Sequence, residues 1–458
     1  MERLALAKLL AWKDKTRRKP LMVYGARQVG KTYLIKDIFA ERYYAGNYIY
    51  VNFKFDDDIR NFVNGAKPYK TPTSNASKIM DFLSLREGRA IDENTLLVFD
   101  EIQEALPAIS SLKDFKENHP RIPVIATGSL VRIKMKRMRK DSQGFFYPVG
   151  AIDTLHIYPM TFEEFLLNRN HMLLERIKSA YESMTPLDES IHALALSHLR
   201  DFLLVGGMPE NVQIFLESGS HVLARRNLET IYDDYLSDMD LYGASRETLL
   251  RCRLLYKNLY LQLNKGNKDL RPSTMEEGGK VRQYVTPMEL LKLAGVIYPC
   301  KRIKETVTLP LREDEGGNYR VYFLDNGFLA YQSDVGMNDF VHSVNANMGV
   351  FYENYVATEF AAAGIDLFYW KGKNDAEFEF VVREGNDIVP VDVKKGKGTL
   401  NSLEKFRYHN KNAKAVKLSS NNFGYDETNK ILTIPLYGAF MYARHLGDNF
   451  AEEFAPRD

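Results

Sequence analysis

The chain has 458 residues, of which 45% are apolar and 27% are charged, enough for roughly three domains of about 150 residues each. This composition excludes a mainly disordered, collagen-like or coiled-coil protein. The 62 basic and 60 acidic residues nearly cancel, which excludes a protein that binds polyanions through its global charge. Cys252 and Cys300 are the two cysteines and lie far apart in the sequence, which excludes a disulfide scaffold and a thiolate zinc site.

The first residues of the chain do not read as a targeting segment. The stretch 4–10 is mostly apolar, but Lys8 interrupts it and charged residues follow at 13–15. We therefore predict an amphipathic first helix rather than a signal peptide. Elsewhere no apolar stretch approaches the length of about 20 residues that crosses a bilayer. The sequence predicts a cytoplasmic protein with no membrane partner.

Residues 1–158 alternate short apolar runs with helical patterns and form the first predicted domain. A helix is expected from Thr32 onward. Strands separated by helices indicate βαβ units and a mostly parallel sheet, so the predicted fold class is α/β. The predicted strands are 21–24, 48–51, 96–99 and 123–126.

Over residues 159–240 the pattern becomes helical, and we predict a helical lid on the sheet domain. Thr161 and Glu164 have the spacing of a capping box, in which each side chain accepts from the other residue's backbone N–H. The stretch 206–209 (GGMP) interrupts the helical pattern. A further helix is expected over about 220–237.

Residues 241–335 are predicted to form a winged-helix-like domain. Thr286 is placed as the N-cap of a helix, with Pro287 at the first helical position, where its missing N–H costs nothing. Strand-like stretches follow near 296–309 and 320–324. Helices followed by two strands resemble a winged helix.

A phosphate-binding motif occupies residues 25–32, which read GARQVGKT and satisfy GxxxxGK[ST] without a mismatch. The glycines let the loop turn so that backbone N–H groups face phosphate oxygens, and the helix N-terminus behind the loop favours anions. Lys31 has a catalytic role at the β- and γ-phosphates, and the Thr32 hydroxyl ligates Mg²⁺. The predicted nucleotide-binding residues are Gly25, Ala26, Arg27, Gln28, Val29, Gly30, Lys31 and Thr32.

The apolar strand at 96–99 ends in two carboxylates, the pattern of a Walker B motif. We predict that Asp100 holds the Mg²⁺ shell and that Glu101 is the general base that polarises the attacking water. The alternative is a strand followed by a solvated acidic turn. The next strand ends in Thr127-Gly128-Ser129. Either Thr127 or Ser129 is predicted to sense the γ-phosphate, with a plain turn as the alternative.

The order of these motifs resembles a family of bacterial and archaeal AAA-type ATPases. The resemblance implies that the chain binds and hydrolyses ATP with Mg²⁺. The oligomeric state stays open at this point, with a homo-oligomer as one candidate. Many relatives carry a Gly-Arg pair where this chain has Gly144-Phe145-Phe146, so no arginine is carried over from that position. The segments that carry the resemblance are 25–32 (GARQVGKT), 96–103 (LLVFDEIQ), 125–130 (IATGSL), 148–150 (PVG), 158–165 (YPMTFEEF) and 206–210 (GGMPE).

The last predicted domain, residues 336–458, has one helix near 350–362 and several alternating strands. Asp375, Glu377 and Glu379 occupy every second position, which on one strand puts three carboxylates on one face. Asp392 and Lys394 repeat this alternation, so two adjacent strands would bring acids and a lysine together beside the helix. The predicted site consists of Glu353, Glu379, Asp392 and Lys394.

This order of helix glutamate, strand acid and DxK resembles the core of PD-(D/E)XK nucleases, a restriction-endonuclease-like α/β fold. The C-terminal domain of the ATPase family is often compared with that fold, although its EVDF motif reads EFEF here, at 377–380. Clustered carboxylates suit a hard cation, which predicts a second Mg²⁺ or Mn²⁺, and a lysine beside them stabilises developing charge. The alternative is a half-exposed sheet whose polar residues face solvent.

Two functions follow from these patterns. Residues 392–417 contain eight Lys or Arg against two acids, and residues 132–140 contain six positive residues in nine, which favours contact with a phosphate backbone. The first hypothesis is an ATP-driven machine that acts on DNA or RNA through the winged helix and the nuclease-like domain. The alternative is a nucleotide-dependent switch that binds a protein partner, with an inactive nuclease-like domain and basic runs that are merely solvated.

Overall fold

The structure is a computed structural model that describes residues 1–137, 146–337, 339, 348–373, 376–394, 400–411 and 413–453. The chain divides into two compact units. The first unit consists of Glu2–Tyr158 and Ser237–Ser245. The second unit consists of Pro159–Leu236 and Arg246–Asp458, with Met1. The predicted domain boundaries after residues 158, 240 and 335 stay predictions.

The first unit is built on a five-stranded sheet in which every pair of neighbours is parallel. The four predicted strands are confirmed. Strands β1, β3 and β4 are buried at every position, whereas β2 at the sheet edge buries every second residue. The fifth strand was not predicted, because only one of its four residues is buried and it lacks an apolar run. The strand order is β2-β3-β4-β1-β5, with β1 Leu21–Tyr24, β2 Tyr48–Asn52, β3 Leu96–Asp100, β4 Val124–Thr127 and β5 Asp153–His156.

Helices cover this sheet and complete its core, which includes Val51, Phe99 and Leu112, all inaccessible to solvent. The helix after the phosphate-binding motif is π-helical over Tyr33–Ala40 and continues through Glu41–Tyr43. Short 3₁₀ turns span Ile102–Glu104 and Met239–Tyr242. The helices are α1 Ala5–Lys13, α2 Tyr33–Ala40, α3 Asp57–Asn64, α4 Ala76–Glu87, α5 Leu106–Asn118 and α6 Leu130–Arg137.

The second unit begins with helices. The capping box at Thr161 is confirmed: its hydroxyl accepts from the Glu164 N–H, and the Glu164 carboxylate accepts from the Thr161 N–H. The helix expected near 220–237 is also confirmed. The helices are α7 Phe162–Arg169, α8 His171–Ser183, α9 Glu189–Val205, α10 Pro209–Ser218, α11 His221–Asp238, α12 Arg246–Lys257, α13 Leu259–Leu263, α14 Val281–Leu293, α15 Asn326–Ser333, α16 Met348–Ala362, α17 Leu400–His409 and α18 Ala439–Glu453.

The glycine pair that interrupts the helical pattern lies in a tightly packed place. A Cβ on Gly207 would lie 2.0 Å from the carbonyl oxygen of Met160. Asp325 accepts hydrogen bonds from the N–H groups of Gly207 and Gly327. The pair is therefore a packing contact within this unit, in which only glycine leaves room for the neighbouring backbone.

The predicted N-cap at Thr286 is wrong. Helix α14 begins at Val281, and Pro287 lies inside it. A proline inside a helix removes one backbone hydrogen bond. Tertiary packing of the buried face of α14, which includes Tyr284 and Leu291, compensates for this loss.

The two strands predicted for a wing are present as an antiparallel pair, but this pair is part of a larger sheet. Strand β6 also pairs in parallel with β8, so that β6 is an inner strand of a four-stranded sheet. The winged-helix assignment stays a prediction. The order of the sheet is β7-β6-β8-β9, with β6 Ile297–Ile303, β7 Tyr319–Phe323, β8 Phe368–Lys371 and β9 Glu377–Phe378.

A second sheet of this unit has five strands, with parallel neighbours at its centre and antiparallel neighbours at both edges. The single strand predicted over 375–380 is wrong, because the chain bends at Glu379 and the flanking segments pair in different sheets. Asp375 lies outside the described residues. The order is β10-β11-β12-β14-β13, with β10 Phe380–Glu384, β11 Asp387–Lys394, β12 Ala415–Ser419, β13 Gly424–Asp426 and β14 Ile431–Pro435.

In the part of the chain that the structure describes, no helix combines the length and the apolar composition needed to cross a membrane.

Candidate nucleotide site

The phosphate-binding loop lies between β1 and α2 and has the backbone conformation that the motif requires. Gly25 has φ +151° and Gly30 has φ +86°, values that glycine adopts without strain. A Cβ on Gly25 would lie 2.2 Å from the Ile157 carbonyl oxygen, so no side chain fits there. Gln28 adopts the left-handed conformation with φ +60°. The loop therefore curves tightly enough to direct successive N–H groups to one centre.

Lys31 lies inside this loop. Its ammonium donates to the carbonyl oxygens of Gly25 at 3.0 Å and Ala26 at 2.6 Å. Burial lowers the pKa of Lys31 to about 8, while the charges of Glu101 and Asp100 oppose that change. The lysine is thus held at the loop, ready for exchange of its carbonyl partners for phosphate oxygens.

The Asp100 carboxylate, at the end of β3, accepts hydrogen bonds from three hydroxyl groups. Thr32 donates to Asp100 Oδ2 at 2.9 Å, and Tyr50 donates to the same oxygen at 2.7 Å. Thr127 donates to Asp100 Oδ1. These contacts join the middle of β2 and the ends of β3 and β4 to Thr32, the residue that precedes α2. Tyr50 was missed in the sequence because nothing distinguishes it from the other aromatic residues of an alternating strand.

Glu101 follows Asp100 in the left-handed backbone conformation, with φ 50° and ψ 40°, which is rare for a residue with a side chain. Its carboxylate accepts from the Gln103 amide and lies 3.9 Å from Arg132 Nη1. The Gln103 carbonyl in turn accepts from the Ser129 N–H at 3.1 Å. The structure therefore brings Glu101 and Ser129 to the same place through Gln103, a residue that carried no sequence signal.

The donors at this site fit a magnesium ion. Thr32 and Asp100 present a hydroxyl and a carboxylate in contact with each other, and Asp100 is 5% exposed. Oxygen ligands of this kind, with phosphate and water completing the shell, are what Mg²⁺ prefers in nucleotide sites. These two residues are the ones expected from the sequence.

Arg132 is the first residue of the basic run 132–140. Its guanidinium pairs with Glu104 and lies near Glu101, and its side chain is 14% exposed. This arginine is therefore partly buried beside Glu101 and does not lie on a solvated basic surface. Residues 138–140 lie outside the described residues.

In the second unit, the first member of the predicted nuclease site is buried and paired. Glu353 is 3% exposed, and its Oε1 accepts from the ammonium of Lys268, a residue of the segment between α13 and α14. Burial raises the pKa of Glu353; Lys268 and Arg320 lower it, while Glu379 raises it. Sequence reasoning missed Lys268 because it lies 85 positions from Glu353 and in no motif.

Glu379 is fully buried, and its Oε2 accepts from the Val393 N–H at 3.0 Å. It thus lies beside the backbone of strand β11, which carries Asp392. Asp392 is partly buried, whereas the side chain of Lys394 lies outside the described part of the chain. Within the described residues, no group of three His, Cys, Asp or Glu side chains is arranged to hold a metal ion.

A buried arginine completes this charged cluster. Arg320 is inaccessible to solvent, and its Nη2 donates to Glu377 Oε2 at 2.6 Å. Its guanidinium also stacks on Tyr369, with 4.3 Å between Cζ and the ring centroid. Glu353 and Glu377 therefore each pair with an internal cation, Lys268 and Arg320 respectively, which offsets part of the cost of burying a carboxylate.

Three segments of the chain match models of known protein families. Residues 17–166 match the family model of an AAA domain. Residues 196–339 match the domain of unknown function DUF8612, and residues 348–437 match the domain of unknown function DUF4143. The segment that matches the AAA domain contains the phosphate-binding loop and all five strands of the first sheet.

Among solved structures, the chain is similar to the Walker-type ATPase PABY2304 of Pyrococcus abyssi. The two share 14% sequence identity, the match covers 72% of this chain and 95% of that chain, and the TM-score is 0.41. None of the curated proteins matches this chain.

Proposed function

We propose that this chain is a Mg²⁺-dependent ATPase that hydrolyses ATP at the loop between β1 and α2. Lys31 holds the β- and γ-phosphates, and Thr32 and Asp100 hold the metal shell. The observation that carries this proposal is the 2.9 Å contact between the Thr32 hydroxyl and Asp100 Oδ2, because it brings the two motifs to one point.

The proposed chemistry assigns the remaining residues. Mg²⁺, when bound, neutralises charge on the phosphate oxygens. Glu101 takes the proton of the attacking water as general base, and its bond to Gln103 orients the carboxylate. Thr127 and Ser129 are proposed to sense the γ-phosphate, Thr127 through Asp100 and Ser129 through Gln103.

The test is ATP turnover and ATP binding by the wild type and two variants. Lys31→Ala is expected to abolish binding, and Glu101→Gln is expected to bind ATP but to hydrolyse it at least about 100-fold more slowly. Lys8→Ala and Glu117→Gln remove the same charges from exposed positions and serve as controls. Equal turnover by the wild type and Glu101→Gln would remove Glu101 from the role of base.

For the second unit, we propose a binding role controlled by the nucleotide, with a protein partner, rather than cleavage of nucleic acid. The pairing of Glu353 with Lys268 and the hydrogen bond from Val393 to Glu379 support this choice, because a nuclease needs such carboxylates free to bind a metal. The competing proposal is action on DNA or RNA through the winged-helix-like and nuclease-like domains, with a second Mg²⁺ or Mn²⁺ and with the basic segment 392–417 on the phosphate backbone.

A cleavage assay separates the two proposals. Wild type and Lys394→Ala are incubated with single- and double-stranded DNA and RNA, with Mg²⁺ or Mn²⁺, with and without ATP. We expect no cleavage by either protein. Cleavage by the wild type that is lost in Lys394→Ala would establish a metal-dependent nuclease and overturn the binding role.

A further inference from the structure

One carboxylate of the first unit lies at the nucleotide site but belongs to no motif. The segment Ser237–Ser245, which begins with the last two residues of α11, is part of the first unit, although the chain on both sides of it belongs to the second. Its residues Met239 and Tyr242 are buried, at 0% and 1% exposure, and its 3₁₀ turn packs against α6. The segment is therefore held by apolar packing, and it carries Asp238 with it.

Asp238 forms an ion pair with the phosphate-binding loop. Its Oδ1 lies 3.0 Å from Arg27 Nη1, and its side chain is 8% exposed. Among the described residues, Oδ1 makes no hydrogen bond, so that the N–H groups of the guanidinium are not aimed at this oxygen. The contact between Arg27 and Asp238 Oδ1 is thus an ion pair without a hydrogen bond to this oxygen.

The charges around this pair are those of the catalytic site. Asp238 interacts electrostatically with Arg27, Arg132, Glu101 and Lys54. Lys31, the lysine expected at the β- and γ-phosphates, has Arg27 and Asp238 among its own electrostatic neighbours. A γ-phosphate held by Lys31 therefore adds negative charge within reach of both members of the pair.

We infer that Asp238 is a positioning residue that holds the Arg27 guanidinium in the absence of a triphosphate and competes with the γ-phosphate for it. The inference rests on the proposed ATPase function. ATP brings one more phosphate than ADP, which attracts Arg27 and repels Asp238. The segment 237–245 thereby responds differently to ATP and to ADP. In the sequence it is directly followed by α12 of the second unit.

The experiment measures dissociation constants of ADP and of a non-hydrolysable ATP analogue, both with Mg²⁺, for the wild type and three variants. Asp238→Asn removes the competing charge, and Asp238→Glu keeps it. Asp240→Asn makes the same charge change at an exposed position of the same segment.

In general, two unit charges about 10 Å apart at an effective dielectric constant of about 20 interact by an energy equivalent to about tenfold in affinity. We expect Asp238→Asn to tighten the ATP analogue about tenfold relative to ADP. Asp238→Glu and Asp240→Asn are expected to keep the wild-type ratio of the two constants to within about twofold. Hydrogen exchange of 237–245 is expected to rise with the analogue but not with ADP in the wild type.

An unchanged ratio in Asp238→Asn, or an equal change for ADP and the analogue, would overturn the inference and leave the ATPase intact. If Asp238→Asn does not fold, hydrogen exchange of the wild type decides alone, and identical protection of 237–245 with both nucleotides overturns the inference. A wild type that binds neither nucleotide would instead overturn the proposed function itself.

Discussion

Glu359 gives the sharpest test of the electrostatics of the second unit. It lies on α16, is 3% exposed, and its Oε1 accepts from the Phe162 N–H at 2.8 Å, at the start of α7. Burial raises the pKa of Glu359 from 4.5 to about 8; the Phe162 N–H lowers it, Glu163 and Glu164 raise it and Arg444 lowers it. The folded protein therefore keeps a proton at pH 7 that the unfolded chain releases.

The direction of the pH dependence follows from this proton. Between about pH 4.5 and pH 8 the folded state binds more protons than the unfolded state, so the free energy of unfolding falls as the pH rises. The displacement of the pKa from 4.5 to about 8 corresponds to about 5 kcal/mol in total, of which about 4 kcal/mol is lost between pH 5 and pH 9.

The substitution Glu359→Gln removes the titration and keeps an oxygen that accepts from Phe162. In urea unfolding, we expect the difference in free energy of unfolding between the wild type and Glu359→Gln to fall by about 4 kcal/mol from pH 5 to pH 9, because only the wild type carries this titration. Glu182→Gln, at an exposed position, is the control and should follow the wild type. Parallel wild-type and Glu359→Gln curves across this range would refute a protonated Glu359 in the folded state.

Three further changes test other contacts. Burial lowers the pKa of Lys31 to about 8, so that ATP binding takes up a proton above that pH; calorimetry at pH 7 and pH 9 should show affinity about tenfold weaker at pH 9. Lys268→Ala leaves Glu353 buried without its cation and should lower the free energy of unfolding by about 3 kcal/mol, whereas adding Glu353→Gln should recover part of that loss. Gly207→Ala forces apart two backbone segments and should cost about 2–3 kcal/mol in a urea titration, while Gly266→Ala, which meets no atom within 4 Å, should change stability little.

The nucleotide site was largely predictable because its chemistry is local in sequence. A phosphate loop needs its glycines, lysine and threonine within eight positions, and the strand that ends in Asp100 is recognisable as an apolar run. The other residues of the site do not belong to these motifs. Tyr50, Gln103 and Asp238 reach the site from other strands and turns, and no spacing rule connects them with the motif.

Strand assignments show the same limit. Short runs such as Leu96–Asp100 were found because all of their residues are buried. The edge strand β5 was missed because it buries one residue in four. The alternation of acidic and aromatic residues over 375–380 indicated an extended chain. Alternation alone cannot show that the backbone passes from one sheet to another at Glu379, since that depends on which strands pair on either side.

The C-terminal acids illustrate why an alternating acidic pattern is ambiguous between catalysis and structure. A nuclease and a buried ion-pair network both need carboxylates that point to one face of adjacent strands, and they differ only in the cation that balances them. Here Lys268 and Arg320 supply that cation from outside the motif. Because an ammonium in contact with Glu353 neutralises the charge that would attract a metal, the same acids that suggested cleavage favour a role in holding the middle and C-terminal segments of the second unit together.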